Sequence, residues 1–324
     1  MKKILALLFS IPLLGIAQNT VCFNIEANPS PNVLALSPFT KYVDVLGCFS
    51  IYAESTISDS KVLHAAAVAA ELLDNNEDGI VDDPQIEAQL INESALIPIF
   101  FQDGNQAMYT FFNNYNGDGV SAVLYNNEID PTQTGHWGND ASVEEIMHTI
   151  NHVGHTNVYP NAFSLQVNSS LLTAAMDIAR GGQFMSVPNS YPASAWYHYY
   201  DQTCDYECMA IEYIYWAQVS NMGILDDAQT ASGIANEWEP YNASLLQTMD
   251  SLIFILITDP QYKLPQIAPN GNYCPTPSAI SEIQTEKKLI NIVDVLGRNT
   301  TAKINNLLFY IYDNGIVERK IIIN

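Results

Sequence analysis

The stretch VEEIMHTINHVGH, residues 143–155, holds three of the chain's six histidines together with two glutamates. Imidazole and carboxylate are the side chains that ligate divalent transition metals, and a glutamate beside such an ion can act as a general base. On a helix turning about 100° per residue, Val143, Ile146, Met147, Ile150 and Val153 gather on one side, the core face. Glu144, Glu145, His148, Asn151, His152 and His155 gather on the other. The histidines stand at i, i+4 and i+7, with Glu144 one turn before His148, so their rings can converge on one ion. The competing reading is a solvent-facing polar stripe, with Ser142 and Glu145 forming a capping box. Gly154 also offers a helix end that would turn His155 elsewhere.

In its histidine spacing, HTINH resembles the H-E-x-x-H signature of zinc metallopeptidases, in which paired histidines bind zinc and the intervening Glu activates water. Here Thr149 occupies the Glu position, and Asn151 stands where the inverted motif carries its Glu. The resemblance implies His148 and His152 as ligands of zinc or another transition metal. It supplies no base, so Glu144 and Glu145 are the local carboxylates for that role. By the same analogy a helix-borne glutamate downstream completes the ligand set. Glu212 is the only charged residue in CMAIEYIYWAQVS, residues 208–220, and His155 is the other possible third ligand. A carboxylate in so apolar a helix must be paired, protonated or bound to a metal. Without a metal, its partners would be a tyrosine hydroxyl or Arg180. Asp177, one turn before Arg180, reads as half of a surface ion pair. His136, Trp137 and WYHYYD, residues 196–201, can line a cleft or fill a core. His64, alone among alanines, reads as packing.

A second cation site is suggested by DNNEDGIVDD, residues 74–83. Asp74, Asn76 and Asp78 fall at the first, third and fifth places of a calcium loop, Gly79 at the turning sixth, and Asp82 at the ninth. Gln85 replaces the bidentate Glu at the twelfth place, which lowers the expected affinity toward roughly 10⁻⁴ to 10⁻³ M. A solvated acidic turn has the same composition. NYNGDG, residues 114–119, reads as a turn.

These groups need elements to hold them. Val43, Val45, Phe49, Ile51 and Ala53 alternate around Gly47 as a half-buried strand would, and an Ala-rich helix follows over 61–73. A helix over 84–92 and strands at 96–101 and 121–125 come next. Beyond residue 140 the pattern turns helical, over 142–153, 169–180, 205–222 and 243–257. Strands and helices early with helices late give an α+β domain spanning residues 18–282. That domain carries four basic residues, Lys41, Lys61, Arg180 and Lys263, against 31 acids, a net of −27. Such a surface repels phosphate backbones, so nucleic acid is excluded as a partner.

Both termini read as addresses. Lys2, Lys3, the apolar run to Leu14 and the small residues to Ala17 make residues 1–17 a signal peptide, and no later run is long enough to span a membrane. The segment from Lys287 to Asn324 carries DVLGR at 294–298, LFYIYDNG at 308–315 and KIII at 320–323. It resembles the type A C-terminal sorting domain of the bacterial type IX secretion system. The resemblance implies a small β module over 283–324, secretion machinery as a partner, and a secreted or surface-attached product. Oxidising conditions then favour disulfides, with Cys204 and Cys208 of TCDYEC the first pair. Cys22 with Cys274 could tie the domain's ends, and the odd count of five leaves one thiol over. The function expected is a metal-dependent, peptidase-like hydrolase. The alternative is a surface protein that binds cations without catalysis.

Overall fold

The computed structural model describes residues 23–132, 140–275, 289–294, 297–301, 307–312 and 317–321. Residues 1–17, expected to form a signal peptide, and Cys22, His136 and Trp137 lie outside the described residues. The chain forms two compact units, divided between Pro275 and Thr276. Its class is α+β. Among the described residues no helix is long and apolar enough to cross a membrane.

The first unit begins with β1 (Glu26–Ala27), β2 (Lys41–Val45) and β3 (Phe49–Ala53). The alternation around Gly47 belongs to a hairpin, not to one strand. Leu46 and Gly47 both take positive φ (53° and 72°), the turn that matches the twist of paired antiparallel strands. After β3 come α1 (Asp59–Leu73), α2 (Pro84–Glu93) and β4 (Leu96–Phe100). β4 pairs parallel to β3, so the chain must cross over between them, and the two helices form that crossover. α3 (Gln106–Asn114) then leads to β5 (Leu124–Tyr125), completing a sheet of order β1-β2-β3-β4-β5.

Every residue of β4 is buried because both faces of the sheet are covered. On one face Phe39, Tyr52, Phe100 and Phe111 form a small aromatic cluster beneath α3. The other face meets α1, whose alanines allow close approach and whose far side packs against α4 (Ser142–Thr149).

The helix expected over 142–153 changes type at Ile150. It continues as a π segment over Ile150–His155 and then as α5 (Thr156–Val158). Gly154 does not end it. A Cβ there would come within 3.1 Å of Ile86, so the glycine lets α2 lie against the π turn. The remaining helices are α6 (Pro160–Phe163), α7 (Leu171–Ala179), α8 (Tyr206–Asn221), α9 (Ala228–Ile234), α10 (Ala243–Met249) and α11 (Ser251–Thr258). The single helix expected over 243–257 is broken at Asp250. That carboxylate accepts from Trp196 Nε1 (2.8 Å) and Tyr213 Oη (2.5 Å) and caps α11. α8 is buried on nearly all sides, packed against α4, α7, α10 and α11.

The second unit holds an antiparallel sheet of β6 (Leu289–Val293), β7 (Leu307–Tyr312) and β8 (Val317–Ile321). In the DVLGR segment Asp294 accepts from Arg298 Nε at 2.8 Å.

Candidate metal centre

α4 and α8 face each other, and each presents a row spaced by four residues. On α4 and its π continuation the row is Glu144, His148, His152, and on α8 it is Cys208, Glu212, Trp216. The rows meet in reverse order. Glu144 and Trp216 line one cavity, His148 lies beside Glu212, and His152 and Cys208 line another cavity. Local chemistry fixes the start of α8: Asp205 caps it by accepting from Cys208 N at 3.0 Å, and the Cys204–Cys208 disulfide closes the turn before it.

One donor atom each from Glu144, His148 and Glu212 lies within 4.8 Å of the other two, so this group could hold a metal ion. His148 is buried, with Nε2 3.5 Å from Glu212 Oε2 and Nδ1 3.7 Å from Glu145 Oε2. Nε2 makes no hydrogen bond of ordinary geometry, Glu212 standing at the limit of reach. An unpaired buried nitrogen facing carboxylates is costly unless a proton or a cation sits between them. Zinc takes such donors at about 2.0–2.2 Å, so the three side chains would draw together on binding it.

The electrostatics favour positive charge at this point. Burial, with Glu212 and Glu145 nearby, pushes the Glu144 carboxyl up to about 7, against the lowering effect of His148. Burial alone would lower His148, but the Glu212 and Glu145 carboxylates outweigh it and hold the imidazole well above its ordinary value. Two states fit this geometry. Either His148 is an imidazolium between Glu145 and Glu212, or its neutral Nε2 meets a cation while Nδ1–H faces Glu145, as metal-bound histidines commonly face a carboxylate.

The six residues singled out for this region separate in space. Glu144, named as a base, stands with His148 and Glu212. Glu145, the other named base, lines a cavity of about 340 Å³ with His148, His152, Glu207 and Glu212. His152 is half-buried on that wall, outside the three-residue group, and burial lowers its pKa. His155 leaves the row altogether. It is 3% exposed, packs edge-on against Phe163 and has Nε2 3.3 Å from the Tyr262 carbonyl oxygen. The π turn explains the departure: each residue advances through a smaller angle than in an α-helix, so a side chain seven positions on falls behind the row.

The expected cap also differs. Ser142 is buried with its Oγ unpaired, and Asp140 accepts from Ser142 N at 3.1 Å instead. Asp140 also lies 2.6 Å from His64 Nε2, so His64 is half of a buried pair. Arg180, suggested as a partner for Glu212 or Asp177, donates to the Phe184 carbonyl and contacts Met209 Sδ while stacking on Phe184 and Tyr191. Tyrosines take the carboxylates: Tyr199 reaches Glu212, Tyr215 reaches Glu144, and Tyr206 donates to Asp177 at 3.1 Å.

Sequence reasoning missed Tyr215, Glu207 and Glu237. Tyr215 is three residues from Glu212, but nothing in the pattern of α8 aims it at Glu144. Glu237 accepts from Trp216 Nε1 at 3.1 Å, and burial raises it to about 7. Of WYHYYD, residues 199–201 line the cavity that Glu144 and Trp216 share.

The acidic loop is closed by its own carboxylates. Asp74, fully buried, accepts from Asp78 N (3.2 Å), Gly79 N (2.7 Å) and Tyr273 Oη (2.5 Å). Asn76 accepts from Asp78 N at 2.9 Å, and Asp82 accepts from Asn75 N at 2.9 Å. Gln85 lies in the first turn of α2 and reaches Tyr159 Oη at 3.2 Å. Burial, with Asp74 and Asp78 nearby, raises Asp82.

No family model, no curated protein and no solved structure matches this chain. The reading of its function therefore rests on the site alone.

Proposed function

We propose that the chain is an exported, metal-dependent hydrolase with a peptidase-like site, in which Glu144, His148 and Glu212 hold the ion. One observation carries this reading: the buried His148 ring stands between Glu145 at Nδ1 and Glu212 at Nε2, with Nε2 making no hydrogen bond, on the wall of a cavity of about 340 Å³. Nitrogen with carboxylate oxygen suits zinc, and two glutamates would balance its charge. A bound zinc would polarise a carbonyl and acidify water. Glu145 then becomes the proton acceptor, because it lines the cavity while Glu144 stands with the ligands.

Residues 18–324, purified without a histidine tag, should carry about one zinc per chain. They should cleave members of a peptide library, and chelator should stop the cleavage. Glu145→Gln should keep the metal and lose cleavage. A metal-free protein would overturn the metal site, and a zinc-loaded protein inert on every peptide would overturn the catalytic half. Export rests on the signal-like start and the sorting-like tail. Deleting residues 287–324 should strand the protein in the periplasm of the native host, and normal appearance outside the cell would refute that address.

The acidic loop supports a second reading, cation binding without catalysis, because Asp82 is half-buried beside the like charges of Asp74 and Asp78. If Asp74, Asn76, Asp78 and Asp82 take calcium, millimolar calcium should raise Tm, and Asp78→Ala should abolish the rise. The same rise in the variant would assign it to charge screening.

A further inference from the structure

On the far side of Glu212 from the 340 Å³ cavity lies another, of about 300 Å³. Its walls are the rings of Tyr199, Tyr200 and Trp216 and the carboxylates of Asp201 and Glu237, with Glu144 and Glu212 at the edge it shares with the metal group. We propose that this cavity is the substrate subsite for a basic side chain, the guanidinium of arginine or the ammonium of lysine. The proposal rests on the hydrolase reading above and adds to it a substrate class.

Aromatic faces and carboxylates together are the surroundings that an organic cation prefers, since ring quadrupole and negative charge act in the same direction. Among the described residues no Lys or Arg lines the cavity. Lys41 pairs with Asp59, Lys61 donates to the Asn126 carbonyl, Arg180 is buried against Phe184 and Tyr191, and Lys263 lines a separate cavity with Asp82. A metal at Glu144 and Glu212 would leave Asp201 and Glu237 to meet the incoming charge.

The walls are built before any ligand arrives. Tyr191 Oη donates to the Tyr199 carbonyl (2.9 Å) and accepts from Tyr199 N (3.0 Å), fixing the backbone of the tyrosine wall. A bridge between Tyr197 and Trp238, with His198 N donating to the Glu237 carbonyl at 2.7 Å, ties that wall to Glu237. Trp216 Nε1 donates to Glu237, which sets the ring and the carboxylate against each other. Tyr200, 54% exposed, lines the cavity with its ring set against Tyr191 and His198.

Cavities on both sides of Glu212 give an extended chain room on either side of the metal group, and the charge of this second one selects the basic residue. The test is calorimetric titration of residues 18–324, metal-free and zinc-loaded, with N-acetyl-arginine amide, N-acetyl-lysine amide and N-acetyl-norleucine amide. The two basic probes should bind in both forms, and the neutral probe at least about tenfold more weakly. Glu237→Gln should weaken the basic probes about tenfold, and Tyr200→Ala several-fold, without changing the far-ultraviolet spectrum. Equal binding of all three probes, or binding untouched by both variants, would overturn the subsite. Binding to the metal-free form is independent of catalysis. Basic-probe binding with no peptide cleavage would therefore sink only the hydrolase, and cleavage without a preference for basic residues would sink only the subsite.

Discussion

Asp140 joins two helices far apart in the chain: its Oδ2 lies 2.6 Å from His64 Nε2 on α1, while its Oδ1 accepts from Ser142 N at the start of α4. Both side chains of the pair are at most 2% exposed. Glu144 lies four residues after Asp140, so the pair sets where the helix that carries this carboxylate begins.

Removing one member of a buried pair strands the other. His64→Ala should therefore destabilise the first unit by about 3 kcal/mol in urea unfolding, and should also weaken zinc binding by loosening α4. A variant as stable as the parent would show that the pair contributes nothing net.

The group that could hold an ion, Glu144, His148 and Glu212, differs from the set the histidine spacing suggests. Glu144→Gln, His148→Ala and Glu212→Gln should each lose zinc, measured as metal per chain after dialysis, whereas His152→Ala and His155→Gln should retain it. Loss of metal in His152→Ala, with retention in Glu144→Gln, would reinstate the paired-histidine arrangement.

His155 should make the fold sensitive to acid. Burial lowers its pKa from the ordinary histidine value of about 6.5 to about 4, so the folded protein binds this proton less readily than the unfolded chain. The sign follows: its contribution is fully present above about pH 6.5 and is lost as pH falls toward 4, to a total of about 3 kcal/mol. His155→Leu should flatten the decline of Tm between pH 6.5 and 4. An unchanged decline would place the acid sensitivity elsewhere.

The Cys204–Cys208 bridge closes a short loop where α8 begins. The chain-entropy model gives so small a ring about 2 kcal/mol of stabilisation. The double change Cys204→Ser, Cys208→Ser should lower stability by that order in denaturant unfolding. It should also release the turn that carries Glu207 and Cys208 to the cavity wall. No change in either midpoint or zinc affinity would mean that Asp205 alone positions the helix start.

The sequence by itself determined those features that depend on local periodicity and spacing. The α+β class, the Ala-rich α1, the buried strand β4 and the start of α8 follow from apolar patterning, and the Cys204–Cys208 pair follows from two thiols one helical turn apart. The hairpin at Leu46–Cys48 escaped because a three-residue turn keeps Val45 and Phe49 in phase, so apolar alternation continues through it.

What only the tertiary structure decided is which polar groups meet. A 3.6-residue count over 143–155 treats the helix as uniform. The π turn, accommodated where Gly154 lets α2 approach, sends His155 into the core and leaves Glu144 and His148 in the row facing Glu212. Ser142 and Glu145 spell a capping box, but Ser142 is the first helical residue, and Asp140, paired with His64, accepts from its backbone N–H. The cavity beyond Glu212 draws on residues 144, 199–201, 212, 216 and 237, whose separations in sequence carry no period. Helix packing and the bridge between Tyr197 and Trp238 bring them together, and no local propensity encodes contacts of that range.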